Sequence, residues 1–180
     1  MEIHEITEEE REQMYEEMFK KMKIERKHLS KEELEKEIID YLSKRQPCSL
    51  ATCGEDGAPR ISVVDYINEE LTIYIFSEGG EKFKNLKENK RVAVGIGTGS
   101  SPMNTRGVNI WGIAEVFTED TPEFVNGMKF FKPVLEGMEE KIGEPIEMPK
   151  GLLRMIRVTP TKMVYNHNKK GIANAHWKAK

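Results

Sequence analysis

The sequence predicts a mainly β protein with flanking helices: a small antiparallel barrel or rolled sheet behind a helical N-terminal extension. Three observations predict it. From Pro47 onward, short apolar-rich runs of strand length are separated by Gly, Asn, Asp and Pro clusters. There are six or seven such runs with short connections, which suits antiparallel pairing better than helical crossovers. The first 46 residues instead repeat apolar positions at helical spacing. With 180 residues, 38% hydrophobic and 33% charged, the chain can bury a substantial core without staples. The expected organisation is an extension over 1–46 and a barrel domain over 47–180.

In the extension, Thr7 with Glu10 and Ser30 with Glu33 have capping-box spacing. Met14, Met18 and Met22, then Leu34, Ile38 and Tyr41/Leu42, mark two helical stripes, and the methionine stripe reads as a packing face. Cys48 to Cys53 is a strand, Gly54 to Gly57 a hairpin loop, Arg60 to Ile67 a longer strand and Leu71 to Phe76 its return. These three are expected to form a meander. Ser77 to Gly80 opens a helix over 81–88, and strands follow at 91–96 and 107–117. Thr121 caps and Pro122 begins a further helix, which Pro133 is expected to kink or restart. The last strands run over 152–158 and 162–166, parted by Thr159-Pro160; the tail Asn174 to Trp177 is expected to fray or to fold over a site.

Several function classes fall away on composition. Net charge is −3, and the first 46 residues hold 14 acidic against 10 basic side chains, so no basic stripe invites nucleic acid. No apolar run approaches the roughly 20 residues that cross a bilayer, and the acidic start is unlike an export signal, so a cytoplasmic protein is expected, with no membrane partner. Cys48 and Cys53 fall on opposite faces of one strand and read as reduced structural thiols. The four histidines, His4, His28, His167 and His176, have no carboxylate or thiol at ligand spacing, so no metal is expected. Ser49, Ser62 and Ser77 lack a nucleophile-elbow context. Gly95-Ile96-Gly97-Thr98-Gly99 lacks the spacing and the following helix of a dinucleotide fingerprint.

Two features carry chemistry. Ala93, Gly95 and Gly97 share one face of their strand, leaving a shallow trough; Trp111, Ile113 and Phe117 extend an apolar second face that helices or a two-fold partner must cover. The passage from Ser77 through Gly79-Gly80 into Glu81-Lys82 offers free N–H groups, glycines and a cation, a candidate phosphate cradle. Ordinary turn geometry beside the negative Glu81 is the competing reading. Asp65 and Tyr66 close a strand beside the trough, as proton-transfer candidates or a plain turn.

Taken in order, Leu50-Ala51-Thr52, Gly57-x-Pro59, Ser62-Val63-Val64, Tyr74 to Ser77, Glu81-Lys82 to Asn85-Leu86, Asn89-x-Arg91-Val92 and Arg106-Gly107-Val108 to Gly112-x-Ala114-Glu115 resemble the pyridoxamine 5'-phosphate oxidase-like, FMN-binding split-barrel family. The resemblance covers residues 40 to 166. It implies a six-stranded antiparallel split β-barrel, a homodimer, FMN at the subunit interface and a small-molecule substrate. Position by position, it implies that Ser62, Val63, Val64 and Asp65 lie along the flavin. Ile75, Phe76 and Ser77 would flank the ring and ribityl chain. Gly80, Glu81 and Lys82 would take the phosphate, and Arg106, Gly107 and Trp111 would come from the partner strand. The true oxidases differ at Ser62, Glu81 and Gly107, where they carry arginine, a basic residue and glutamine. The resemblance therefore implies an FMN-dependent oxidoreductase more than the pyridoxamine phosphate reaction. A deazaflavin-dependent reductase and a non-enzymatic flavin or haem module, with His167 or His176 as haem ligand, are the alternatives.

Overall fold

The computed structural model describes residues 6–44, 47–99, 101–146 and 150–180; residues 1–5 and 45–46 of the extension lie outside the described residues. Helix α1 spans Glu8–Met22 and α2 Lys31–Leu42, each opened by its expected capping box. Strands β1 (Cys48–Cys53) and β2 (Pro59–Val64) form a hairpin; β3 (Ile67–Glu69) and β4 (Thr72–Ser77) form a second. Then come α3 (Glu81–Glu88), β5 (Arg91–Thr98), β6 (Arg106–Thr118), α4 (Pro122–Ile142), β7 (Arg154–His167) and β8 (Ile172–Lys178). The eight strands form one antiparallel sheet in the order β2-β1-β5-β6-β7-β4-β3, with β8 paired to β7 beyond the end of β4. The sheet curls into a split barrel that does not close.

Five expectations need correction. The strand over 60–67 breaks at Asp65-Tyr66, because β2 and β3 are the two opposite edges of the sheet and the chain turns the corner between them. No three-strand meander forms, since β4 pairs with β3 and β7 rather than with β2. The last strands are one strand, β7: Pro160 falls where the register slips opposite Trp111/Gly112, a bulge that tolerates the missing N–H. The tail is strand β8, with Trp177 buried and its Nε1 donating to Glu35 at 2.6 Å. Pro133 also leaves α4 unbroken over 21 residues; it sits on the exposed side, where water can satisfy the carbonyl it frees.

The main core fills the barrel interior. Alternation is as the sequence suggests: Ile73 and Ile75, Val92, Val94 and Ile96, and Val108 and Ile110 all point inward. Leu34, Ile38, Tyr41 and Leu42 of α2 plug one end of it, all nearly inaccessible. A second core lies on the outside of β4 and β7, where α4 lays Phe124, Phe130 and Phe131 over Tyr74, Phe76 and Met155. Helix cover thus accounts for half of the apolar second face. The other half, Ile61 and Val63 on β2 and Trp111 and Ile113 on β6, stays open to solvent.

Helix α1 is tied back by one residue. Arg26 clamps Glu12 through Nε at 2.9 Å and Nη2 at 3.2 Å, and donates to the carbonyls of Gly171 (3.2 Å) and Ala173 (2.9 Å). The methionine stripe packs only in part: Met18 and Met22 are half-buried, Met14 is exposed, and Phe19 is the residue of α1 that is fully buried. Gly171 lies at φ 75°, and a Cβ there would stand 1.9 Å from the Glu25 carbonyl oxygen. Gly171→Ala should therefore cost about 2 kcal/mol or more. The check is a lowered thermal midpoint together with faster proteolysis within residues 8–27.

Candidate functional site

The corner at Asp65-Tyr66 is where the site begins. Strand β2 pairs only with β1, so its outer edge presents unpaired backbone donors and acceptors. Along it Ser62 and Val64 are half-buried and Val63 is 74% exposed. Tyr66 is buried and its hydroxyl donates to the Leu42 carbonyl of α2 at 2.9 Å, which pins the corner. Of the two proton-transfer candidates, Asp65 is exposed and Tyr66 is committed to structure.

Facing this edge is the end of β4. Ile75 is fully buried inside the barrel, so it offers only backbone to the outside. Phe76 points the other way, stacking on Phe131 at 4.4 Å and edge-on to Phe124 at 5.8 Å. Ser77 is buried. Gly80 is the N-cap of α3 at φ 107°, with no side-chain cap, so the first N–H groups of the helix remain unclaimed by side chains. A Cβ on Gly80 would stand 3.4 Å from the Lys82 ammonium.

Lys82 is only 7% exposed and folds back so that Nζ donates to the Gly79 carbonyl beside the Phe83 ring. Burial makes its ammonium more acidic than an ordinary lysine; nearby Glu78 opposes this, and nearby Arg60 reinforces it. Lys82 thus lies at an uncapped helix start, with the exposed Arg60 of β2 near enough for its charge to be felt there. Glu81 is exposed and paired with Lys84 at 2.7 Å, and the Arg60 charge also acts on its carboxylate, so it offsets part of this positive charge.

The third expected group lies apart from these. Gly107 presses against β5, a Cβ there standing 2.8 Å from the Ile96 carbonyl oxygen. Trp111 is 41% exposed, with the Lys162 ammonium 5.0 Å from its ring, and shares a cross-sheet row with Ala93, Ala51 and Ile61. Arg106 is already occupied. It donates to Tyr165 Oη at 2.9 Å and Asp40 Oδ2 at 3.0 Å and lies over the Tyr41 ring, joining α2 to the barrel.

Three side-chain settings bear on chemistry. Burial pushes the Cys48 thiol up to about 12, with Asp65 adding to the effect, so it is an inert core thiol. Glu12 and Glu16 do approach His28, at 3.7 and 3.6 Å, which sequence spacing did not suggest; the group is exposed, and Glu12 is held by Arg26. Tyr74 is held protonated by burial and by donating to Glu69 at 3.0 Å.

Residues 34–167 match the family model described as pyridoxamine 5'-phosphate oxidase. The chain belongs to the pyridoxamine 5'-phosphate oxidase-like split-barrel family. No curated protein matches it. Solved structures share the fold at low identity. A conserved hypothetical protein from Mycobacterium tuberculosis is 20% identical, covering 81% of this chain and 91% of that one at a TM-score of 0.60. An FAD-binding protein from Mesorhizobium loti is 19% identical, covering 71% and 87% at 0.55. The haem storage protein HutZ from Vibrio cholerae is 17% identical, covering 76% and 98% at 0.53. Within this family fold, sequence reasoning missed what α4 brings to the site: Phe131 stacks on Phe76, and with Val134 and Met138 it lines a cavity beside Tyr74. Their helical spacing was readable, but nothing in it said which strands they would meet.

His167, at the end of β7, is 14% exposed in its side chain and makes the fold sensitive to acid. Burial, with Arg106 and Lys170 nearby, lowers its proton affinity below the ordinary histidine value, and Glu37 only partly opposes this. The unfolded chain binds a proton near pH 6.5, before the folded one does, so stability is full above that pH and is lost as pH falls through the window below it. The thermal midpoint should drop between pH 7 and 5, and His167→Gln should flatten that drop.

Proposed function

We propose that this protein is an FMN-binding homodimer, an oxidoreductase that passes hydride or electrons between a reduced donor and a small substrate in the cytoplasm. The observation that carries the reading is the uncapped start of α3, where Gly80 allows close approach and Lys82 and Arg60 supply positive charge. The family fold, and a neighbour described as FAD-binding, support a flavin in general. The choice of FMN rests on the compactness of the α3 start, which suits a single phosphate.

Each part of the site has a task in this reading. The α3 N–H groups and Lys82 hold the phosphate, the lysine swinging from the Gly79 carbonyl to do so. The free edge of β2 gives backbone hydrogen bonds to the polar rim of the ring, and Val63 lies against its face. Bound flavin would supply the redox chemistry, so the chain needs only to position the ring, set its electrostatics and keep water out. The exposed apolar row from Ile61 to Trp111 is the surface through which a second copy completes the site, and Trp111 and Gly107 reach the flavin from that copy. With Arg106 spoken for by Asp40 and Tyr165, the phosphate relies on α3. Haem is disfavoured, because His167 is wedged beside Arg106, Lys170 and Glu37 and His176 is exposed.

Two experiments test this. Lys82→Ala should weaken FMN binding roughly 10- to 100-fold in a fluorescence titration, the worth of one charge-assisted hydrogen bond; unaltered affinity moves the phosphate elsewhere. Val63→Glu should convert a dimer to a monomer in sedimentation and abolish flavin retention. A wild-type chain that sediments as a monomer overturns the shared site.

A further inference from the structure

A cavity of about 380 Å³ opens between α4 and the β3–β4 hairpin, and the flavin reading does not use it. Its position is informative. Asp65 at its mouth directly follows Val64, and Glu78 directly follows Ser77, so the two chain segments argued to hold the flavin both run into this pocket. The walls are aromatic and aliphatic: Tyr66, Tyr74, Phe76 and Phe131, closed by Val134 and Met138. Both phenol hydroxyls are already engaged, Tyr66 with Leu42 and Tyr74 with Glu69. The interior therefore offers ring faces and hydrocarbon rather than hydrogen bonds.

Polarity is confined to the mouth, and it has one sign. Asp65 and Glu78 are both exposed, neither forms an ion pair among the described residues, and no basic side chain lines the cavity. A phosphate or carboxylate approaching would meet two carboxylates, and the nearby cation, Lys82 close to Glu78, lies outside the lining. A protonated amine would meet both carboxylates and the electron-rich faces of Phe76 and Phe131. The volume lies within the range of small-molecule sites, and aromatic walls with a few polar groups at the rim are their usual build.

We propose that this pocket binds a flat aromatic molecule carrying a protonated amine, and that it rejects phosphorylated and carboxylated analogues of the same ring. Its role as the substrate site rests on the flavin reading; its ligand preference rests on the pocket alone. The ring lies in the cavity against the wall formed by Tyr74 and the stacked Phe76–Phe131 pair, with the amine at the Asp65–Glu78 mouth, toward the β2 edge.

The test is calorimetric titration of the full chain with tryptamine and with indole-3-propionate, the same ring bearing opposite charge. Tryptamine should bind at least tenfold tighter, and a double Asp65→Asn, Glu78→Gln variant should bring the two within about threefold. Met138→Lys, at a site 46% exposed and so compatible with folding, should weaken tryptamine and strengthen the propionate. Equal binding of the two probes, or a preference for the propionate, overturns the proposal. Flavin content, read from the visible spectrum of the same samples, separates the two readings. A flavin-loaded chain that does not discriminate the probes removes the pocket proposal and leaves the flavin intact. Selective tryptamine binding by a chain that takes up no isoalloxazine leaves the pocket standing and removes its role as substrate site.

Discussion

Two residues carry the chain from one edge of the sheet to the other. Between β2 and β3 there is only Asp65-Tyr66, so the ends of the sheet order are neighbours in sequence and must come close in space. A fully paired barrel would bury both edges; here the corner holds them apart, with Tyr66 pinned to the carbonyl of Leu42 at the end of α2. Everything ligand-facing follows from that split. It leaves the β2 edge unpaired, brings Arg60 toward Lys82, and sets Asp65 opposite Glu78.

Helix α2 is what makes such a corner rigid. Its four core residues cap the barrel end, so the carbonyl that receives Tyr66 belongs to an element with no freedom to shift. On its polar side the same helix sends Glu37 and Asp40 to Arg106 on β6, His167 at the end of β7 and Lys170 in the turn that follows. A charged network at this depth costs desolvation, and two of its members, Glu37 Oε2 and His167 Nδ1, approach each other only to 3.8 Å, beyond hydrogen-bond distance, and have no other hydrogen-bond partner among the described residues. Packing, rather than this network, holds the helix down.

The division of labour between the two cores has a chemical consequence. The inner one is sealed and aliphatic, and sets the shape of the sheet. The outer one, beneath α4, is aromatic and incompletely filled, and its gap opens beside the corner. A covered hydrophobic face thus becomes a binding pocket where the covering helix runs past the edge of the sheet it covers.

Much of this was readable from the chain alone. Period-two alternation separated the two faces of β4, β5 and β6, because one-residue steps invert a strand's side chain. Capping boxes placed both N-terminal helices, since their hydrogen bonds are local. The Gly79-Gly80 turn and Lys82 were visible for the same reason. Partnership was not. That β4 leaves β2 for β7, that Pro160 sits in a bulge, that the tail becomes β8, that Arg106 is claimed by Asp40 and Tyr165, and that Phe131 faces Phe76 all depend on contacts between residues far apart in sequence. Sequence determined most of the helices, strands and turns and separated the two faces of each strand; tertiary structure alone decided where the 60–67 strand broke, that the tail became β8, which edges stayed open and which charges were left unpaired there, because those are properties of neighbours the local chain does not contain.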